Sequence, residues 1–205
     1  MTFIEVYLVG GAAILAMMVL LWLASLALKN ASIVDIFWGT AFVLANWVYF
    51  LLTPGGSPER KLLISLLVTV WGLRLSLYIL WRNHGKPEDF RYQKWRKENG
   101  ASWWWRSFFQ VFILQGLLAW IISMPLLLAQ DAGQPARLGV LDFAGLLLWA
   151  VGFFFESVGD WQLARFKANP ANLVGLISRG GQPALTGPAP IQVALELFHA
   201  DRQPR

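Results

Sequence analysis

Apolar residues run through this chain in long unbroken blocks, with polar residues gathered between them. Five blocks, residues 3–28, 33–52, 62–81, 108–129 and 138–155, approach the length that crosses a hydrocarbon core, which takes about 20 residues of α-helix. They predict an all-α, polytopic membrane helix bundle with about five transmembrane helices. The first block is longer than the apolar core of a signal peptide, opens with Glu5 rather than basic residues, and has no small-residue cleavage site after it, so it is expected to be a retained span. The linker 53–58, Thr-Pro-Gly-Gly-Ser-Pro, is a turn by its chemistry.

Charge between the blocks orients the bundle. The linker 82–107 holds seven basic residues (Arg82, Lys86, Arg91, Lys94, Arg96, Lys97, Arg106) against three acids, whereas 131–137 is nearly neutral. The positive-inside rule therefore puts 82–107 in the cytoplasm. Alternation puts Lys29 and the segment after Asp160 there too, with the N-terminus outside and the C-terminus cytoplasmic. Trp103, Trp104 and Trp105 in the same linker read as an interfacial aromatic belt on a short surface helix.

Composition narrows the chemistry. Of 205 residues 57% are hydrophobic and 14% charged, and the mean hydropathy is +0.50, too apolar for an ordinary soluble domain. Cysteine is absent and there are only two histidines, His84 and His199, so neither disulfides nor a metal site is expected. The net charge of +5 sits largely in linkers and reads as topology signal and contact with anionic head groups rather than nucleic-acid binding. Residues 173–205 are rich in Gly and Pro, with at most three turns of amphipathic helix over 191–200. This stretch is expected to be an irregular tail.

Ionisable groups inside apolar blocks cost roughly 2.5–3.5 kcal/mol each on insertion scales, so those present are candidates for function. Glu156 and Asp160 lie four residues apart at the end of the fifth block and would share a helix face despite their repulsion. Asp35 stands one turn into the second block. Either it complements the positive end of a helix capped by the Ser32 side chain, or it is a buried acid that donates a proton or binds substrate. Arg74, deep in the third block, needs an acid or a phosphate; Asp35 and Glu156 are the candidate ion-pair partners. Arg82 follows eight residues later, offset by about 80° and so on roughly the same face. Asn46 and Gln115 read as interhelical hydrogen bonds, Asp142 as interfacial, and Tyr78 and Tyr92 as anchors or proton donors. Neither a GxGxxG nor a Walker pattern occurs, so any nucleotide must be held by charged residues at helix ends.

Five segments, in order, are similar to one family. They are Ser32-Ile-Val-Asp-Ile-Phe-Trp-Gly39, Trp71-Gly-Leu-Arg-Leu75, Arg82-Asn-His-Gly85 with Glu88-Asp-Phe-Arg-Tyr92, Gln115-Gly116, and Glu156-Ser-Val-Gly-Asp-Trp-Gln-Leu163. The set resembles the bacterial branch of the steroid 5α-reductase-like proteins, labelled domain of unknown function 1295, over residues 31–172. The resemblance implies NADPH held on the cytoplasmic side and hydride delivery to a carbon–carbon double bond conjugated to a carbonyl. The substrate would be lipophilic: steroid-, enone- or isoprenoid-like. It implies catalytic roles for Asp35, Trp71 and Arg74, and cofactor contacts from Arg82, Asn83, Glu156, Asp160, Gln162 and Arg165. Trp71 stands where the reductases carry a tyrosine; an indole donates one hydrogen bond but is a poor acid.

The family continues beyond an Asn-Pro-Ala-Asn segment with an Arg-His-Pro-Asn-Tyr-Phe-Gly-Glu motif and further helices. This chain has residues 169–172 and then nothing matching. The expectation is a reductase-like domain over 1–172, truncated at its C-terminus, impaired or inactive, in a bacterial inner membrane. Its expected partners are membrane lipids and the substrate, with no obligate protein partner. The competing readings are a relative of the isoprenylcysteine-type methyltransferases, binding S-adenosylmethionine, and a non-enzymatic membrane fragment.

Overall fold

The computed structural model describes residues 1–168, and every regular element among them is helical. The elements are α1 (Phe3–Leu28), α2 (Ile33–Ile36), α3 (Trp38–Leu52), α4 (Pro58–Asn83), α5 (Phe90–Asn99), α6 (Trp103–Ser107), α7 (Leu114–Asp131) and α8 (Val140–Ala168). A 3-10 turn, Gly100–Ser102, precedes α6, and a π-helical stretch, Phe108–Ile113, joins α6 to α7. The chain divides into two units, Met1–Asp142 and Phe143–Arg205. The expected tail, 173–205, lies outside the described residues.

Four helical stretches, Phe3–Leu28, Pro58–Asn83, Phe90–Asp131 and Val140–Ala168, are long and apolar enough to cross a membrane, and α3 is a shorter apolar helix. The protein is an integral membrane helix bundle. Outward faces carry Leu8, Leu15, Leu66, Leu77 and Ile121, each roughly half exposed or more, as lipid-facing residues must be. In the first unit α3 is the central helix, packed against α1, α4 and α7, with Ala41, Phe42, Ala45, Asn46 and Tyr49 buried. Its 15 residues are too few for a span alone. The second apolar block breaks at Phe37 into the single turn α2 and then α3, so it is not the one continuous helix expected.

With hydrocarbon on both sides of the comparison, helix association rests on close packing and polar contacts. Gly39 of α3 meets Gly72 of α4 backbone to backbone: a Cβ on Gly39 would stand 2.3 Å from the Gly72 carbonyl oxygen. Trp47 Nε1 donates to Thr69 Oγ1 at 3.0 Å, and Thr40 and Ser76 pair through their hydroxyls at 2.9 Å. Asn46 is the interhelical link expected of it, its Oδ1 accepting from Gln130 Nε2 of α7 at 2.6 Å. Tyr49 joins Ser123 at 2.8 Å.

The linkers sort to two ends. At one end Arg60 lays its guanidinium on Asp142 (2.7 and 3.0 Å) and on the carbonyls of Ala132 and Pro135. Ser57 donates to Ala136 there, and Lys61 to the Thr53 carbonyl. At the other, basic end the 29–32 linker meets the 82–107 linker. This pairing is the one that alternating spans require. Glu5, which argued against a signal peptide, closes a capping box with Thr2 at the start of α1.

Candidate functional site

Three segments far apart in sequence converge at the basic end. The first is the α1–α2 linker with α2, the second runs from Asn83 through α5, and the third is the start of α7. Asp89 caps α5, its Oδ1 accepting from the Arg91 amide at 3.0 Å. The polar α5 precedes the apolar part of the Phe90–Asp131 stretch and turns Tyr92 inward, where it is only 3% exposed.

Asp35 is the centre of this convergence. Its Oδ1 accepts from the Tyr92 hydroxyl at 2.7 Å, and its Oδ2 from Arg91 at 3.4 Å. Gln115 of α7 donates to the same Tyr92 oxygen at 3.3 Å. Gln115 is thus an interhelical hydrogen bond, as expected, but one that belongs to the site. Burial, then the charge of Asp35 and the bond to it, push the Tyr92 phenol well above its ordinary range. The phenol is held as a donor.

The capping expectation for Ser32 is overturned. No side-chain cap forms on α2; the Ser32 hydroxyl accepts instead from the Asp89 amide at 2.7 Å. Ser32 lies in right-handed helical backbone (φ −63°, ψ −10°), not the extended geometry in which a cap hydroxyl reaches back to the helix amides. Of the two ion-pair partners expected for Arg74, Asp35 or Glu156, Asp35 takes Arg91. Arg74 lies over the Tyr78 ring at 5.7 Å, and Arg82 lies over the same ring at 5.8 Å, in keeping with their shared helix face.

Two acids that the sequence reading left within a motif hold the linkers together. Glu88, with a side chain 9% exposed, accepts from Arg96 at 2.8 and 3.0 Å and from the Ala31 amide at 2.6 Å. Arg96 reaches on to the Lys29 carbonyl at 3.2 Å and covers Trp103. Trp103 is accordingly buried, whereas Trp104 and Trp105 are exposed as belt residues would be. Asp89 pairs with Arg91 Nε at 2.9 Å. Burial raises the Asp89 carboxyl, but the guanidinium and amide of Arg91, with Arg82 nearby, outweigh it and hold the group below its ordinary value. The available signal was their location: acids kept in a strongly basic linker have cations to satisfy.

Beside this cluster lies a groove of about 590 Å³. Leu28, Ile33, Ile36, Phe37, Leu80 and Phe90 supply its apolar walls, and Asn30, Asn83, His84 and Lys86 its polar rim. Among the expected site residues Asn83 lines it directly, and Asp35 lies on the same short helix as Ile33 and Ile36. Trp71 is half-buried, edge-on to Phe42 at 5.7 Å, and its neighbour Gly72 touches Gly39. Glu156, Asp160, Gln162 and Arg165 all lie on α8 in the second unit. There the helix runs on to Ala168, so the acidic pair at the end of the apolar block lies within it, four residues apart. Arg165 covers Trp161 at 5.4 Å. No cluster of His, Cys, Asp and Glu among the described residues could hold a metal ion.

The profile of the family described as "Protein of unknown function (DUF1295)" matches residues 21–181. A Schizosaccharomyces pombe protein described as uncharacterized is 30% identical over 150 residues, which is 69% of this chain and 43% of the yeast protein. The chain therefore spans less than half the length of that relative. No solved structure matches.

Proposed function

This chain belongs to the DUF1295 family, and from that premise we propose that it is a membrane-bound, NADPH-dependent reductase of a carbon–carbon double bond in a lipophilic, steroid-, enone- or isoprenoid-like substrate. The observation that carries the reading is convergence. Asp35, the Glu88–Tyr92 segment and Gln115, drawn from three of the five family-like segments, form one hydrogen-bonded cluster beside an apolar groove. The basic end would face the cytoplasm, in a bacterial inner membrane.

The residues present suit a phosphate-bearing cofactor. Arg82 is exposed, forms no ion pair among the described residues, and adjoins Asn83 on the rim of the groove. Within the first unit Arg82 and Asn83 would hold the phosphates of NADPH; Glu156, Asp160, Gln162 and Arg165 are assigned to the cofactor by family resemblance alone. Bound, the cofactor supplies a hydride to the double bond. The chain's own part is the proton and the orientation. Asp35, an acceptor fixed by Tyr92 and Arg91, is assigned substrate orientation, with the Tyr92 phenol as the proton-bearing group beside it; Trp71 and Arg74 are assigned the polarisation of the carbonyl.

The test uses the full chain in detergent. NADPH binding is expected, with impaired oxidation of NADPH by steroid, fatty and isoprenoid enones. Asp160→Ala should abolish binding, and Asp35→Asn should abolish turnover while binding persists. Binding of S-adenosylmethionine in place of NADPH would move the chain to the methyltransferase reading, and binding of neither would leave a non-enzymatic membrane protein.

A further inference from the structure

The reductase reading leaves the substrate's head group open, and the groove at the basic end bears on it. Its walls and rim separate by chemistry. Leu80 and Leu28, the apolar residues near the ends of α4 and α1, are 46% and 63% exposed. Trp81, Arg82 and Lys29, the residues that mark an interface, follow them directly in sequence. The apolar part of the groove therefore starts at the depth where acyl chains begin, and the rim lies among head groups.

The charges of the rim are unequal. Asp89 faces the groove but is neutralised by Arg91. Lys86 also lines it, is exposed, and forms no ion pair among the described residues. His84 and Asn30 add hydrogen-bonding groups. Arg82 adds a second cation close enough to act on Asp89. The net result is a positive rim over an apolar trough. Its volume of about 590 Å³ falls within the range of small-ligand sites, about 300–1,000 Å³, which suits one chain rather than two.

We propose that this groove takes a single-chain lipid with an anionic head, drawn from the cytoplasmic leaflet, its chain along Ile36, Phe37 and Leu80 and its head at Lys86 and His84. The proposal names the substrate class of the reductase and rests on that reading for the reaction, though not for the binding. A charged head at the rim holds the molecule at one depth, so the same stretch of chain always lies beside α2, the helix that carries Asp35. Affinity and position then come from one contact.

The experiment measures binding of two probes to the full chain in detergent, oleoyl lysophosphatidate and its uncharged counterpart monoolein, by native mass spectrometry. The phosphate-headed probe is expected to bind about tenfold more tightly, the scale of one desolvated charge contact. Lys86→Glu should erase that preference and Lys86→Arg keep it. Ile36→Trp, which fills the trough, should weaken both probes together. Equal binding of the two probes by the wild-type chain, or a preference untouched by Lys86→Glu, overturns the proposal. NADPH binding measured on the same samples separates the two readings. A head-group preference without NADPH binding sinks the reductase and keeps the groove. NADPH oxidation by an enone without any head-group preference does the reverse.

Discussion

The Tyr92 hydroxyl donates to Asp35 Oδ1 at 2.7 Å across 57 residues of sequence, joining the linker before α7 to the turn before α3. A hydrogen bond to an ionised group contributes about 1.5–3 kcal/mol. Tyr92→Phe is therefore expected to lower thermal stability in detergent by about that amount, and Asp35→Asn, which keeps an acceptor, by less. Equal melting temperatures for wild type and Tyr92→Phe would remove this bond from the fold.

The same pair sets an alkaline limit. The Tyr92 phenol is raised above its ordinary value of 10.0, so the folded chain keeps a proton that the unfolded chain loses. Its contribution is complete below pH 10 and declines as pH rises from there through the folded value. Wild type should lose stability steeply above pH 10, and Tyr92→Phe should lose less over that window, as read by melting temperature against pH.

Asp89 acts at the other extreme. Its carboxyl is held below the ordinary value of 3.8, so it stabilises the fold above that pH, and the effect disappears as pH falls through the folded value. Asp89→Asn keeps the α5 cap but loses the charge, whereas Asp89→Ala loses both, about 0.5–2 kcal/mol for the cap alone. At neutral pH the order of stability should be wild type, then Asn, then Ala. The gap between wild type and Asn should close as pH falls through the folded value of Asp89, below 3.8.

At the opposite end, Arg60 and Asp142, with side chains 9% and 15% exposed, form a forked pair at 2.7 and 3.0 Å. Removing one partner of this forked, largely covered pair should cost more than the ~0–1 kcal/mol of an exposed pair. Arg60→Ala should melt earlier than wild type, and Arg60→Lys should rescue little because an ammonium cannot fork. NADPH and lipid binding to the folded fraction should be unchanged.

Orientation can be read directly because the chain contains no cysteine. With Gln134→Cys or Lys97→Cys introduced singly, a membrane-impermeant maleimide on intact cells should label the first. It should reach the second only after permeabilisation. The opposite pattern would invert the assignment of the basic end.

The spans were legible because a membrane leaves a chain few options: apolar length and linker charge marked the helices and the sorting of their ends. The break at Phe37 was not legible, since Ile36, Phe37 and Trp38 are as apolar as their neighbours. The break is at Phe37 (φ −91°, ψ 5°), just after a turn whose Ser32 is engaged by Asp89 and whose Asp35 is engaged by Tyr92. Asp35 and Gln115 could be picked out as polar residues in apolar blocks. Their common partner Tyr92 could be read only as an anchor or a proton donor, because a tyrosine in a basic linker gives no sign of which acid it meets. Glu88 was hidden by the same surroundings, its pairing with Ala31 and Arg96 being a matter of which linkers meet.

The contact of Gly39 with Gly72 has a mechanical meaning. Two helices touching through bare backbone at one point have a fulcrum there, with bulkier side chains on either side resisting sliding but not tilting. Leu80 lies eight residues beyond Gly72 on α4, a lever arm of about 12 Å. A tilt of about 5° at the crossing moves that end of α4 by about 1 Å, enough to change the width of a trough that holds a single chain. Leu80 and Asn83 form part of one wall of the groove, so the fit of its occupant is set from a point two turns away, by two glycines with no side chains to give way.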